Sequence, residues 1–143
     1  YRLVTDLREA LNAADIPFII GGLGDYLGKT TFGAGCIEYE RINQELQRFA
    51  EENPCCYFVT AKGLTANPDG IHINAVSQRK FGLRYFEAYS ERKHIEQPLA
   101  EEDRLVDRCH NRDNTTAEKR YLALKGFTSG KISYEEFRKA FVS

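Results

Sequence analysis

The chain has 143 residues, of which 42% are hydrophobic and 29% are charged, a composition that excludes a disordered or collagen-like chain. The 20 Lys and Arg residues are balanced by 21 Asp and Glu residues, so no basic field is available to attract nucleic acid or an anionic membrane. The longest apolar run, residues 16–23, is too short to span a bilayer, and no export signal is visible. We therefore expect no nucleic-acid or membrane partner, and a cytoplasmic location is favoured.

The four cysteines do not have the spacing of a structural zinc site. Cys36, Cys55, Cys56 and Cys109 form no C-x-x-C pair, and no histidine stands at a zinc-finger interval from two of them. Cys55 and Cys56 lie in an apolar run, where a free thiol behaves as a small hydrophobic side chain. We expect free thiols in a reducing compartment, with no metal and no cofactor.

The first sixty residues alternate between helical and strand patterns. Leu3, Leu7, Leu11 and Ala14 predict one face of an amphipathic helix that a sheet must cover. The run 17–20, followed by two glycines, predicts a strand buried on both faces, as in a parallel sheet. Apolar residues at helical spacing predict a helix over 39–49, and the run 55–60 predicts a second buried strand.

The second strand leads into a loop and a third helix. Residues 61–73 are rich in Gly, Asn, Pro and Asp, which predicts a loop. Asn74 is an acceptable N-cap for a helix that extends to about Ser90, with Phe81, Tyr85 and Tyr89 as its inward stripe. This order of elements predicts the later part of an α/β domain with a parallel sheet. Because two strands make no stable sheet, more strands are expected from upstream sequence or another copy of the chain.

The pattern changes near residue 93. The following residues predict short helices over 99–109, after a capping box at 115–118, and from 133 onward. We therefore divide the chain into residues 1–93, an α/β portion, and residues 94–143, a small helical appendage.

The loop before the third helix carries the clearest candidate for chemistry. An Asp three residues before a His lets the carboxylate accept from the imidazole Nδ1–H and leaves Nε2 free as a general base. Asp69 and His72 have this spacing just past a buried strand, where open α/β sheets bind ligands. Asp107 and His110 have the same spacing within a charged helical segment. Without further information, a turn-forming Asp and a His bonded to the backbone explain the motif better than a catalytic pair does.

Three segments of the first portion resemble a known family. Residues 17–24, 39–43 and 67–85 are similar to the carbohydrate acetylesterases of the SGNH hydrolase superfamily, in the branch of the sialate O-acetylesterases and acetylxylan esterases. The family's closing block is D-x-x-H followed by a helix with Gln-Arg and Gly, and Asp69, His72, Gln78, Arg79 and Gly82 match it. The resemblance implies a three-layer α/β/α sandwich with a parallel sheet. It also implies a Ser-His-Asp triad in which His72 is the base and Asp69 orients it.

The nucleophile block of that family is not matched. Residues 24–27 imitate it but carry Tyr26 where the serine should stand, so we assign them to a loop with Asp25 at the surface or in a cleft. In the family, the serine and the Gly and Asn of the oxyanion hole lie earlier in the domain. We therefore expect all three upstream of Tyr1, and this chain to be the carboxyl-terminal part of the esterase.

Three hypotheses about function follow. The first is a serine esterase that hydrolyses acetyl esters on carbohydrates. The second is a carbohydrate-binding or scaffolding domain derived from such an esterase without catalysis. The third is a different hydrolase of lipase-like or phospholipid-esterase type. An upstream Gly-x-Ser turn separates the first from the second, and a cleft lined by polar and aromatic rather than aliphatic groups separates the first from the third.

Overall fold

A computed structural model describes residues 2–29 and 31–142 as a mixed α/β chain. The elements in chain order are α1 (Arg2–Ala10), β1 (Phe18–Gly21), a 3₁₀ helix (Thr31–Gly35), α2 (Tyr39–Glu52), β2 (Cys56–Val59), α3 (Ala75–Glu91), α4 (Glu102–His110), α5 (Thr116–Thr128) and α6 (Tyr134–Val142). No helix within these ranges is both long enough and apolar enough to cross a membrane.

The two strands pair in parallel, as predicted. Phe18 lies opposite Cys56 and Gly21 opposite Val59, and α2 connects the two strands. A crossover of this kind is what parallel neighbours in one sheet require. On the far side of β2, Ile95 forms a parallel bridge with Val59, so part of that edge is also covered.

Helices pack on both faces of this two-stranded sheet. Alternate strand residues point to opposite faces, and the two resulting clusters of buried and half-buried residues contain different helices. The first comprises Val4, Phe18, Ile20, Leu46, Phe49, Ala50, Cys56 and Phe58. The second comprises Ile19, Tyr57, Val59, Phe81, Tyr85, Ala88, Ile95 and Leu99. The strands are therefore the central layer of this part of the chain.

The burial predicted for β1 is wrong. All four residues of β1 are half-buried, whereas three of the four residues of β2 are buried. In the described part of the chain, β2 lies between β1 and the bridge at Ile95, while β1 pairs with β2 alone. The inner strand of the pair is consequently the better covered.

The predicted inward face of α1 is also wrong. Leu3 is 72% exposed and Leu7 and Leu11 are exposed, whereas Val4 is buried. One turn after Val4, the Arg8 guanidinium donates to the carbonyl oxygens of Ile16 and Cys55, both at 3.1 Å. These bonds turn the Val4–Arg8 face of the helix, rather than its leucine stripe, toward the start of β2.

The inward stripe of α3 differs from its prediction at one position. Phe81 and Tyr85 pack against the sheet, but Tyr89 is 54% exposed. The place of Tyr89 in the packed face is taken by Arg84 and Ala88, both at 0% exposure. The N-cap prediction is confirmed, because the Asn74 side chain accepts from the Ser77 N–H at 2.9 Å.

The chain separates into two compact units, the first ending at Val106 and the second beginning at Asp107. In the second unit, α5 begins with the predicted capping box, in which Thr115 and Glu118 bond each other's backbone. The rings of Phe127 and Phe137 stack at 5.0 Å between centroids. The division predicted from the sequence, into an α/β portion of residues 1–93 and a helical appendage of residues 94–143, stays a prediction.

Replacing Gly21 by Ala should destabilise the protein, because a Cβ there would stand 1.9 Å from the Tyr85 hydroxyl and 2.8 Å from the Phe81 ring. We expect a loss of about 1–3 kcal/mol in the free energy of unfolding, as for other overpacked cores. The matched control is Gly82→Ala, since a Cβ at Gly82 meets nothing within 4 Å and Ala favours a helix interior. In urea denaturation, the midpoint of Gly82→Ala should lie above that of the wild type and the midpoint of Gly21→Ala below it. Equal midpoints for Gly21→Ala and the wild type would contradict the packing of α3 on β1.

Candidate functional site

The segment that carries Asp69 and His72 is a small hairpin following β2. Ala66 and Ile73 form an antiparallel bridge at its base. The Asn67 N–H donates to the His72 carbonyl at 2.7 Å, and the Gly70 N–H donates to the Asn67 carbonyl at 2.9 Å. Gly70 has φ of +72°, a conformation that glycine adopts without strain. The loop predicted from composition is therefore an ordered turn.

The Asp69 carboxylate makes three hydrogen bonds within this turn, two of them with His72. Asp69 Oδ1 accepts from the backbone N–H groups of Ile71 at 2.9 Å and His72 at 3.0 Å. Asp69 Oδ2 lies 3.0 Å from His72 Nδ1. These three hydrogen bonds hold the pKa of Asp69 at about 2. The bond from the Ile71 N–H has the largest effect, followed by those from the His72 N–H and the imidazole. Asp69 is therefore a carboxylate at neutral pH.

This charge state determines which nitrogen of His72 carries the proton. A carboxylate can only accept hydrogen bonds, so we assign the proton to Nδ1, which leaves a lone pair on Nε2. The His72 side chain is 77% exposed, and no described residue bonds Nε2. The structure thus brings the two predicted residues together, with the imidazole at the surface.

The other Asp-x-x-His spacing lies elsewhere. Asp107 is exposed near the end of α4, and the backbone of His110 closes that helix. The side chain of His110 is outside the described part of the structure. Both residues belong to the second compact unit.

A cavity of about 510 Å³ opens beside His72. Its lining combines aliphatic side chains with two tyrosines and one carboxylate, and it comes from the loop after β1, the start of α2 and the hairpin: Leu23, Tyr26, Leu27, Glu38, Tyr39, Ile42, Ile71, His72 and Ile73. A concave apolar pocket with a few polar groups is the usual form of a small-molecule site.

The loop after β1 and the 3₁₀ helix contact the hairpin through two groups that the sequence did not indicate as parts of the site. The Tyr26 hydroxyl donates to the Ile71 carbonyl at 3.3 Å, and the Phe32 N–H donates to the Asp69 carbonyl at 3.1 Å. Burial, followed by the charges of Asp69 and Asp25, raises the pKa of Tyr26. Tyr26 matters here as a neighbour of the candidate base, although in the sequence it stood out only as a mismatch to a serine motif.

Two further side chains hold that loop. Asn43 on α2 accepts from the Leu23 N–H at 2.7 Å and donates to the Leu23 carbonyl at 2.9 Å. Asp25 accepts from the Gly63 N–H at 3.3 Å, which joins the loop to the segment after β2. Asn43 lies inside one of the segments that carry the resemblance, but nothing in the sequence indicated which backbone it holds.

Residues 2–29 and 31–142 contain no group of three or more His, Cys, Asp or Glu side chains that could hold a metal ion. All four cysteines are free thiols: Cys56 is buried, Cys36 and Cys55 are half-buried, and Cys109 is exposed. The burial expected for the run of Cys55 and Cys56 therefore holds for Cys56, whereas Cys55 is only half-buried.

An ordered Asp–His pair at the exit of a parallel strand is typical of hydrolases of the α/β class. Comparison with known families agrees with this class, since the profile of the carbohydrate esterases described as sialic acid-specific acetylesterases matches residues 1–91. The chain belongs to that family, and the resemblance predicted from the sequence is confirmed. No curated protein matches the chain.

The ionised Asp69 should stabilise the hairpin in a defined pH range. Its pKa is lowered from 3.8 to about 2 on folding, so its contribution is complete above about pH 4 and is lost as the pH falls through 2. An NMR titration should show the amide protons of Ile71 and His72 shifting together with a midpoint near 2. The Asp69→Asn variant should show no such transition. A wild-type midpoint at the ordinary carboxyl value would contradict the hydrogen bonds of the turn.

Proposed function

We propose that this protein is a serine esterase that removes O-acetyl groups from carbohydrates, with His72 as general base and Asp69 as its orienting carboxylate. The observation that carries the proposal is the 3.0 Å contact between His72 Nδ1 and Asp69 Oδ2 in a chain of the carbohydrate esterase family. The lone pair of Nε2 then faces solvent, where a serine hydroxyl can meet it.

The chemistry requires this arrangement in each step. The serine oxygen attacks the acetyl carbonyl carbon while His72 Nε2 takes the hydroxyl proton. The intermediate collapses by breaking the bond to the sugar oxygen, which leaves with the proton from His72. Water then attacks the acetyl-enzyme, again through His72, and acetate is released. Asp69 remains ionised throughout and stabilises the imidazolium that forms twice.

The remaining catalytic groups are part of the proposal and not of the described structure. The nucleophilic serine and the oxyanion donors would come from sequence upstream of Tyr1. That sequence would add strands on the side of β1 that β2 does not occupy and would complete a three-layer α/β/α sandwich. The edge of β1 supports this placement, because within residues 2–29 and 31–142 β1 pairs with β2 alone and an open strand edge accepts a further strand.

The carbohydrate substrate is proposed from the family match, and the cavity carries some groups suited to it. The rings of Tyr26 and Tyr39 offer flat surfaces, and Glu38 offers an acceptor for sugar hydroxyl groups. A volume of about 510 Å³ is larger than an acetyl group needs, which leaves room for part of the sugar next to His72. The five aliphatic side chains of the lining suit an apolar acyl group equally well, so the choice of a carbohydrate over a lipase-like substrate rests on the family match.

In the protein extended upstream of Tyr1 by its own coding sequence, His72→Ala should reduce kcat/KM for an acetylated sugar by about 10²–10⁴-fold, the usual contribution of a general base. Asp69→Asn should reduce it by up to about 10⁴-fold, because the amide lacks the charge that stabilises the imidazolium and can donate to Nδ1, which favours the wrong tautomer. Acetate release from acetylated monosaccharides measures both. Circular dichroism should show both variants folded, since the His72 side chain is largely exposed.

The matched control is His110→Ala, which removes the histidine of the second Asp-x-x-His spacing and should leave the rate unchanged. Full activity in the His72 variant would disprove the assignment of the base. Sugar binding without acetate release in the extended wild-type protein would favour the carbohydrate-binding alternative. Preference for long-chain acyl esters over acetylated sugars would favour the lipase-like alternative.

A further inference from the structure

A buried arginine lies where the chain leaves β2. Arg84, in the middle of α3, has 0% exposure. Its Nη1 donates to the carbonyl oxygens of Thr60 at 2.8 Å and Lys62 at 2.9 Å. These carbonyls belong to the segment that connects β2 to the hairpin of Asp69 and His72.

The charge of Arg84 is balanced by a residue outside the family match. Glu102, at the start of α4, accepts from Arg84 Nε at 2.7 Å and from Nη2 at 2.6 Å, and its side chain is 5% exposed. Glu102 also accepts from the Leu99 N–H at 3.2 Å. The family profile ends at residue 91, so the partner of Arg84 is supplied by the segment that follows it.

The same helix holds the connecting segment at a second place. The Ser77 hydroxyl accepts from the Thr65 N–H at 2.9 Å, and Asn74 Nδ2 donates to Thr65 Oγ1 at 2.6 Å. The hairpin begins directly after Thr65, at the bridge between Ala66 and Ile73. Helix α3 therefore holds the chain both where it leaves β2 and where it enters the hairpin.

Stability alone does not require this ion pair. A buried pair loses hydration on both partners, and well-packed apolar side chains often serve equally well. What an apolar pair cannot do is donate hydrogen bonds to the carbonyls of Thr60 and Lys62. Esterase chemistry needs His72 within hydrogen-bond reach of a nucleophile on another loop, so the hairpin must be placed accurately.

We propose that Glu102 and Arg84 are positioning residues that set where the Asp69–His72 hairpin lies against the loop of Tyr26 and the 3₁₀ helix. The Asp69–His72 bond is local to the turn and does not depend on them. The contacts that depend on them join the hairpin to its neighbours, above all the bond from the Phe32 N–H to the Asp69 carbonyl. The segment 94–106 is then part of the site's architecture.

This inference rests on the proposed function only in taking Asp69 and His72 as the site. Its test is hydrogen exchange at the Phe32 amide of the full chain, which reports loop position and not turnover, so the two proposals can fail separately. In Glu102→Gln, the charge that balances Arg84 is lost while the side-chain size is kept. We expect exchange at Phe32 to accelerate by roughly tenfold or more, with exchange at Ile20 and Tyr57 in the sheet unchanged.

The matched control is Glu118→Gln, which alters a similar two-bond pair with Arg112 that is exposed in the second unit. It should leave Phe32 exchange unchanged. Unaltered Phe32 exchange in Glu102→Gln would overturn the proposal. Equal acceleration of exchange at Phe32 and in the sheet would also overturn it, because the ion pair would then stabilise the whole fold. Should Glu102→Gln fail to fold, Arg84→Met combined with Glu102→Leu removes both charges and the carbonyl bonds, and the same exchange criteria decide.

Discussion

A guanidinium group without solvent contact has to find all of its partners within the protein, and Arg84 meets this constraint by joining three parts of the chain. Its donors reach the backbone leaving β2 and the carboxylate of Glu102 at the start of α4. Among the described residues, every buried side-chain nitrogen and oxygen has a hydrogen-bond partner. The exit of β2, α3 and the segment after α3 are consequently arranged around one side chain.

The candidate site combines this long-range constraint with a short-range one. The turn that presents His72 is closed by the Asp69 carboxylate, which accepts from two backbone N–H groups and from the imidazole. All of these partners lie within three residues of Asp69, so the turn carries its own geometry. Its position beside the cavity, by contrast, depends on contacts with Tyr26 and Phe32, which are far away in sequence.

Much of the secondary structure was predictable from the sequence because its signals are local. The N-cap at Asn74 and the capping box at Thr115 follow from patterns within a few residues and are confirmed. The parallel pairing of the strands follows from the order strand, helix, strand along the chain and is also confirmed. The inward faces of α1 and α3 were only partly predictable. Periodicity identifies an apolar stripe but not the bonding of Arg8 to the carbonyls of Ile16 and Cys55, nor the burial of Arg84, whose long stem and paired head group take the place expected for Tyr89.

The sequence by itself pointed to Asp69 and His72 through their spacing, and the bonds that join them are local, because the Ile71 N–H, the His72 N–H and the imidazole all lie within three residues of the carboxylate. It also determined the family, through motifs contiguous along the chain. Only the tertiary structure decided that Tyr26 and Asn43 shape the surroundings of the turn and that Glu102 balances Arg84. Those contacts join residues 18 to 45 positions apart, and which distant groups meet depends on how strands and helices pack, which no local pattern encodes.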